Sequence, residues 1–153
     1  MNNYEYMQIA LEEAKLAALE NEVPVGCIIV KDNEIIARTH NTRHKNKSAI
    51  NHAEIMAIDE ACKKLSSWQL DGCTMYVTLE PCIMCAGAIL QARIKTVVFA
   101  SKEPKFGACG SVVNIFNSLE YKFNHEVELI EGICENESKT LIKDFFKNLR
   151  NTK

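Results

Sequence analysis

No run in this 153-residue sequence approaches the roughly 20 consecutive apolar residues that a membrane-spanning helix requires. The opening Met1-Asn2-Asn3-Tyr4-Glu5 has neither the basic start nor the apolar stretch of a secretory signal, so a soluble, cytoplasmic chain is expected. No segment repeats and none is of low complexity. With only 3 Pro and 6 Gly, no linker divides the chain, and a single domain over residues 1–153 is expected. An excess of one charge is missing too: the formal net charge of −2 argues against a generic nucleic-acid coat protein. Hydrophobic residues at 47% and charged residues at 25% exclude long disordered, collagen-like and coiled-coil chains.

What the chain does hold is 7 Cys. In a chain without an export signal they point to a reducing compartment, where thiols serve as core residues, nucleophiles or metal ligands. Cys27 lies in the apolar run Val25–Val30 and reads as a small core residue. Cys62, Cys73, Cys109 and Cys134 stand alone, without a role. Only Cys82 and Cys85 form a patterned pair. The bases are also segregated: Arg38, Arg43, Lys45 and Lys47; then Arg93 to Lys105; then Lys139 onward. If these stretches met on one face they would make an anion site, although a solvated surface of mixed charge explains them as well.

Apolar positions at Met7, Leu11, Ala14 and Ala18 predict an amphipathic helix over 4–20. Two β-rich runs around Asp32-Asn33 predict a hairpin. A helix is expected over about 51–65 with Ile55, Ile58, Ala61, Cys62 and Leu65 buried, then a strand over 74–79, a helix from Cys82 to about Gln91, and a strand over 96–100. A short apolar element at 112–119, a strand at 126–131 and a helix from Ser138 complete the chain, the last with an apolar face of Leu141, Ile142, Phe145, Phe146 and Leu149. Alternating helices and strands imply parallel neighbours, and the hairpin makes the sheet mixed. The expected fold is α/β, a three-layer α/β/α domain with a mixed five-stranded central sheet.

Two clusters stand at predicted helix starts: Asn51-His52-Ala53-Glu54 and Glu80-Pro81-Cys82-Ile83-Met84-Cys85. Cys82 and Cys85 are three apart and share one helical turn. Pro81 suits a helix start, and the positive helix end favours thiolate, the form that binds metal. Two thiolates and one imidazole leave the fourth position of a tetrahedral zinc for water, the catalytic arrangement. Plainer readings stand beside this one. Asn51 and Glu54 make a capping box, and Cys82–Cys85 after a strand has the form of a thioredoxin-like redox pair. Both clusters nevertheless fall where a parallel sheet gathers ligands, at the carboxyl edge of its strands.

His52-Ala53-Glu54 followed by Pro81-Cys82-Ile83-Met84-Cys85 resembles the H-x-E and P-C-x-x-C motifs of zinc-dependent nucleobase deaminases. Together with Glu22-Val23-Pro24-Val25-Gly26, the full run Tyr76–Ala88, Arg93-Ile94, Gly110-Ser111 and Asp144-Phe145-Phe146, nearly the whole chain is similar to the bacterial tRNA-specific adenosine deaminases. That resemblance implies a cytidine-deaminase-like fold, with one Zn2+ per subunit held by His52, Cys82 and Cys85. It implies Glu54 as the proton shuttle for water that replaces the amine of adenosine, giving inosine at the wobble position of a tRNA anticodon loop. It further implies base contacts from Asn41 and the backbone around Ala53, RNA contacts from Lys105 and Arg150, Phe146 beside the pocket, and a homodimer. At Glu103 the family commonly has Asp, so the nucleotide contact there is shifted or absent. A deaminase of free guanine or deoxycytidylate uses the same metal motifs. A zinc or redox module without hydrolytic chemistry is the reading from another class.

Overall fold

The computed structural model describes residues 1–120 and 122–151. Its elements are α1 (Asn3–Leu19), β1 (Gly26–Lys31), β2 (Glu34–His40), α2 (Ala53–Leu65), β3 (Thr74–Leu79), α3 (Ile83–Ala92), β4 (Thr96–Ser101), β5 (Glu128–Glu131) and α4 (Glu135–Asn151). Asn2 starts α1 through a capping box: its side chain accepts the Glu5 N–H while the Glu5 carboxylate accepts the Asn2 N–H. The expected hairpin turns at Asp32 and Asn33, both at positive φ (49° and 64°), the backbone that a two-residue turn of matching twist requires.

The strands form one sheet in the order β2-β1-β3-β4-β5. β1 is antiparallel to both β2 and β3, whereas β3, β4 and β5 run parallel. The mixed five-stranded sheet is therefore as expected. Alternation along the central strands sorts their side chains onto two faces. Cys27, Ile29, Met75, Val77, Val97 and Phe99 pack with Ala53, Ala57 and Ala61 of α2 and Ile89 of α3. Ile28, Val30, Tyr76, Val98 and Ala100 pack with Tyr6, Met7, Ala10 and Leu11 of α1, and Leu141 of α4 lies against them. Helices α2 and α3 thus cover one face, and α1 and α4 the other.

One close approach sets the spacing of these layers. A Cβ on Gly26 would lie 2.0 Å from the Ala10 carbonyl oxygen and 2.6 Å from the Ala14 nitrogen. Only glycine lets α1 sit that close to β1.

Several elements differ from the sequence reading. β2 runs on to His40, because its pairing with β1 continues to Gly26↔His40. α2 turns a line of alanines inward (Ala53, Ala57, Ala61), with Ile58, Cys62 and Leu65 flanking it half-buried; the small residues bring the helix axis close to the sheet. The segment 112–119 forms no helix or strand, being held instead by loop bonds such as Ile115 N–H to Ala108 O at 2.9 Å. β5 is shorter than expected and α4 begins at Glu135, directly after a left-handed Cys134 (φ 62°), with Glu135 and Glu137 at its positive end. The apolar face expected for α4 is only partly covered: Phe146 and Leu149 are each 40% exposed. Lys153, at the end of the third basic stretch, lies outside the described residues.

Candidate active site

Each helix covering the first face begins at the carboxyl edge of the sheet or beside it, and there the two sequence clusters meet. His52 occupies the N-cap position of α2 and Cys82 that of α3; both have extended backbones and neither side chain caps its helix. The Asn51–Glu54 capping box, the plainer alternative, is therefore absent, and Pro81 precedes the cap while Ile83 takes the first helical position. With their capping role unused, the two side chains turn toward each other. Cys85 lies in the first turn of α3, where it is fully buried.

His52 Nδ1 stands 3.7 Å from Cys82 Sγ and 3.6 Å from Cys85 Sγ, and all three donor atoms lie within 4.8 Å of one another. Zinc bonds of about 2.3 Å to sulfur and about 2.0–2.1 Å to nitrogen, at tetrahedral angles, separate such atoms by about 3.6 Å. The donor set thus fits a tetrahedral metal in both chemistry and spacing, and three protein ligands leave one position for a further one. Among the described residues it is the only His/Cys/acid group of this kind.

The protonation pattern agrees with a site that exchanges protons for a cation. Cys82 is pushed down to about 4, because the Cys85 thiol donates to its sulfur and, against the cost of burial, His52 adds to the effect. Cys85 is pushed well up, by donating that hydrogen bond and by burial. Contact with Cys82 raises His52. Glu54, in the first turn of α2 and 4% exposed, is raised to about 7, chiefly by burial. Its carboxylate acts on the Cys85 thiol, adding to the rise of that thiol.

Asn41 follows β2 between two ties to the start of α2. Thr39 Oγ1 donates to the Ala53 carbonyl at 2.7 Å, and the Thr42 N–H donates to Asn51 O at 3.2 Å. The Asn41 amide nitrogen donates to Val23 O at 3.4 Å, whereas its Oδ1 is buried without a hydrogen-bond partner among the described residues. An orphaned buried acceptor is rare and marks a site for a missing donor. Ala53 is fully buried at the first helical position, where an N–H has no partner within the helix.

Of the remaining expected residues, Glu103 and Lys105 lie on the loop after β4. Glu103 spends one carboxylate oxygen on the Lys105 N–H at 3.0 Å. Lys105 is exposed, as are Phe146 and Arg150 on α4. The hydrogen bonds and ion pairs of the metal group do not include these three. Among the basic stretches, Arg38 is neutralised by Glu12 and Glu13, and Lys139 pairs with Glu135. Arg43, Lys45 and Lys47 stay exposed.

One further buried acid, present in the sequence reading only as part of the Glu22–Gly26 motif, has a structural task. Glu22 is fully buried and accepts the His44 and Lys45 N–H groups at 3.1 and 2.7 Å, which pins the basic loop after β2.

A family profile described as MafB19-like deaminase matches residues 1–150. The tRNA-specific adenosine deaminase of Bacillus subtilis (strain 168) is 47% identical over 148 residues, covering 97% of this chain and 91% of that protein. The chain belongs to the tRNA-specific adenosine deaminase family. A solved structure from work on A-to-I editing by tRNA:A34 deaminases at the wobble position superposes with a TM-score of 0.84 at 39% identity, covering 90% of this chain and 98% of that one. A guanine deaminase from Bacillus subtilis superposes less well, with a TM-score of 0.65 at 32% identity over 77% of this chain and 86% of that one. The α/β architecture is thus the cytidine-deaminase-like fold shared by this family and its neighbours, and the protein is a deaminase.

Proposed function

We propose that the protein hydrolyses the 6-amino group of adenosine at the wobble position of a tRNA anticodon loop, releasing ammonia and leaving inosine. The carrying observation is the convergence of His52, Cys82 and Cys85 at tetrahedral spacing beside buried Glu54, in a chain 47% identical to a tRNA-specific adenosine deaminase. His52, Cys82 and Cys85 would hold one Zn2+, whose chemistry when bound is that of a Lewis acid that lowers the pKa of water.

The chain's own residues do the rest. Glu54 takes a proton from the attacking water and can return it; burial raises its carboxyl above the ordinary carboxylate range, which favours holding that proton in transit. It delivers that proton to N1 of the ring and then carries the remaining hydroxyl proton from the new C6–OH to the amine: the C6–O bond forms, the C6–N bond breaks, nitrogen leaves as NH3, and inosine keeps N1–H and the C6 carbonyl. Asn41 Oδ1, without a partner among the described residues, offers an acceptor to the base, and the Ala53 N–H, at the first helical position where no partner lies within the helix, offers a donor. A stacked base cannot reach such a pocket, so the nucleotide enters unpaired or extruded. Exposed Lys105 and Arg150 are suited to phosphate and Phe146 to a stacked base, while Glu103 retains one oxygen beyond its bond to Lys105.

A homodimer in the cytoplasm completes this reading. Exposed apolar side chains at Ile83, next to Cys82, and at Val112 and Val113 support a second copy. The 7 free thiols fit a reducing compartment, and no helix among the described residues is long and apolar enough to cross a membrane. Residues 1–153 act as one domain, for which the single sheet with helices on both faces speaks.

The test is inosine formation in an anticodon stem-loop, run beside deamination of free guanine and deoxycytidylate, with zinc measured on the same sample. Activity on the stem-loop is expected, lost on chelation and regained with zinc. Glu54→Ala should keep zinc and lose activity, whereas His52→Ala should lose zinc. Turnover of the free compounds alone would defeat the RNA assignment, and protein purified without zinc would defeat the metal assignment.

A further inference from the structure

Glu80 follows β3 and is 2% exposed, yet it lies outside the chemistry described above. Four groups donate to its two carboxylate oxygens. The Glu103 N–H reaches Oε1 at 3.1 Å, the Cys109 and Ser111 N–H groups reach Oε2 at 2.9 and 3.1 Å, and the Ser111 hydroxyl donates to Oε1. All four come from the loop after β4. An ionised carboxylate is acceptor-only and can take four such donors; a carboxamide cannot, because its NH2 would face N–H groups.

The fit is close. A Cβ on Gly107 would lie 2.4 Å from Glu80 Oε2 and 2.5 Å from its Cδ, so the chain passes over the carboxylate at a distance only glycine allows. The same loop lies on the start of α3. The Ala108 N–H donates to Pro81 O at 2.9 Å, and Gly107 pairs with Cys82 in an isolated β-bridge. Glu80 therefore fixes where the loop stands relative to Cys82. Between its anchored ends the loop presents exposed Lys105 and Phe106, the latter 70% exposed.

We propose that Glu80 is a positioning residue for RNA binding: it holds loop 102–111 against the start of α3 so that Lys105 and Phe106 meet the substrate. This rests on the reading that the substrate is an anticodon loop. The experiment compares wild type with Glu80→Gln, both zinc-loaded, by hydrogen exchange and by steady-state deamination of an anticodon stem-loop.

In Glu80→Gln, amides of 102–111 should exchange about tenfold faster while those of α1 and β1 are unchanged. KM should rise about tenfold with kcat within about twofold and zinc content unaltered. Ser111→Ala removes one of the four donors and should shift both readings the same way by less; it carries the test if Glu80→Gln does not fold. Unchanged exchange in the loop, or a loss falling on kcat or on zinc content instead of KM, overturns the proposal. A wild-type protein inert on the stem-loop overturns the RNA reading itself, and the exchange rates then still decide whether Glu80 holds the loop.

Discussion

The hydroxyl of Thr39 and the carbonyl of Ala53 are joined by a buried 2.7 Å hydrogen bond that ties β2 to the first turn of α2. The turn it fixes carries Glu54, and the residue before it is His52. Thr39→Val keeps the shape and removes the donor. It should cost about 1 kcal/mol in a urea titration and lower deamination more than that loss of stability alone explains. An unchanged midpoint together with unchanged activity would refute this role.

Gly26 brings β1 and α1 into backbone contact. Gly26→Ala inserts a methyl 2.0 Å from the Ala10 carbonyl oxygen, so α1 must lift from the sheet. Overpacking of this kind should destabilise by about 3 kcal/mol, read from the shift in unfolding midpoint, whereas zinc content of the folded protein should persist.

Asn41 contributes little to the fold through its side chain, since its nitrogen makes one long bond and its oxygen none among the described residues. Asn41→Ala should therefore change stability by under about 1 kcal/mol yet lower kcat/KM on the stem-loop about tenfold. Equal losses of stability and activity would contradict a role in binding the base.

His40 contacts Glu13 and Glu20 through its two ring nitrogens, at 2.9 and 3.0 Å. Both contacts are hydrogen bonds only if the ring is protonated at both nitrogens. Burial opposes that charge, but the two carboxylates outweigh it and raise His40 above its ordinary 6.5. The folded protein thus holds this proton more tightly than the unfolded chain does. Its stabilising contribution is complete below about pH 6.5 and is lost as pH rises through the folded value. Urea midpoints of wild type and His40→Gln should differ most near pH 6 and converge as the solution is made alkaline, after allowance for other groups. A constant difference would contradict the charged clasp.

Much of this was legible in the chain. The 3.6-residue spacing of Met7, Leu11 and Ala14 and the Asp32-Asn33 turn led to α1 and the hairpin, because helix and turn propensities act over a few residues. Local spacing also placed Cys82 and Cys85 on one turn. It put Ala61 of α2 in the core and Ile58, Cys62 and Leu65 against it, as found, but missed Ala53 and Ala57 and counted Ile55, which is only half-buried, since what an inward residue meets is set by the sheet. It misjudged 112–119 as well, an apolar stretch held by loop bonds instead of an element of its own.

The sequence by itself determined the donor types, the two helix starts that carry them and the family they resemble. Only the tertiary structure decided that His52 stands within 3.7 Å of sulfurs 30 and 33 residues away, that Asn41 Oδ1 lacks a partner among the described residues, and that Glu80 gathers four donors. The physical reason is range. Periodicity and capping report what each residue does to its neighbours along the chain, whereas these contacts exist only once parallel strands bring separate helix starts and loops to one edge of the sheet.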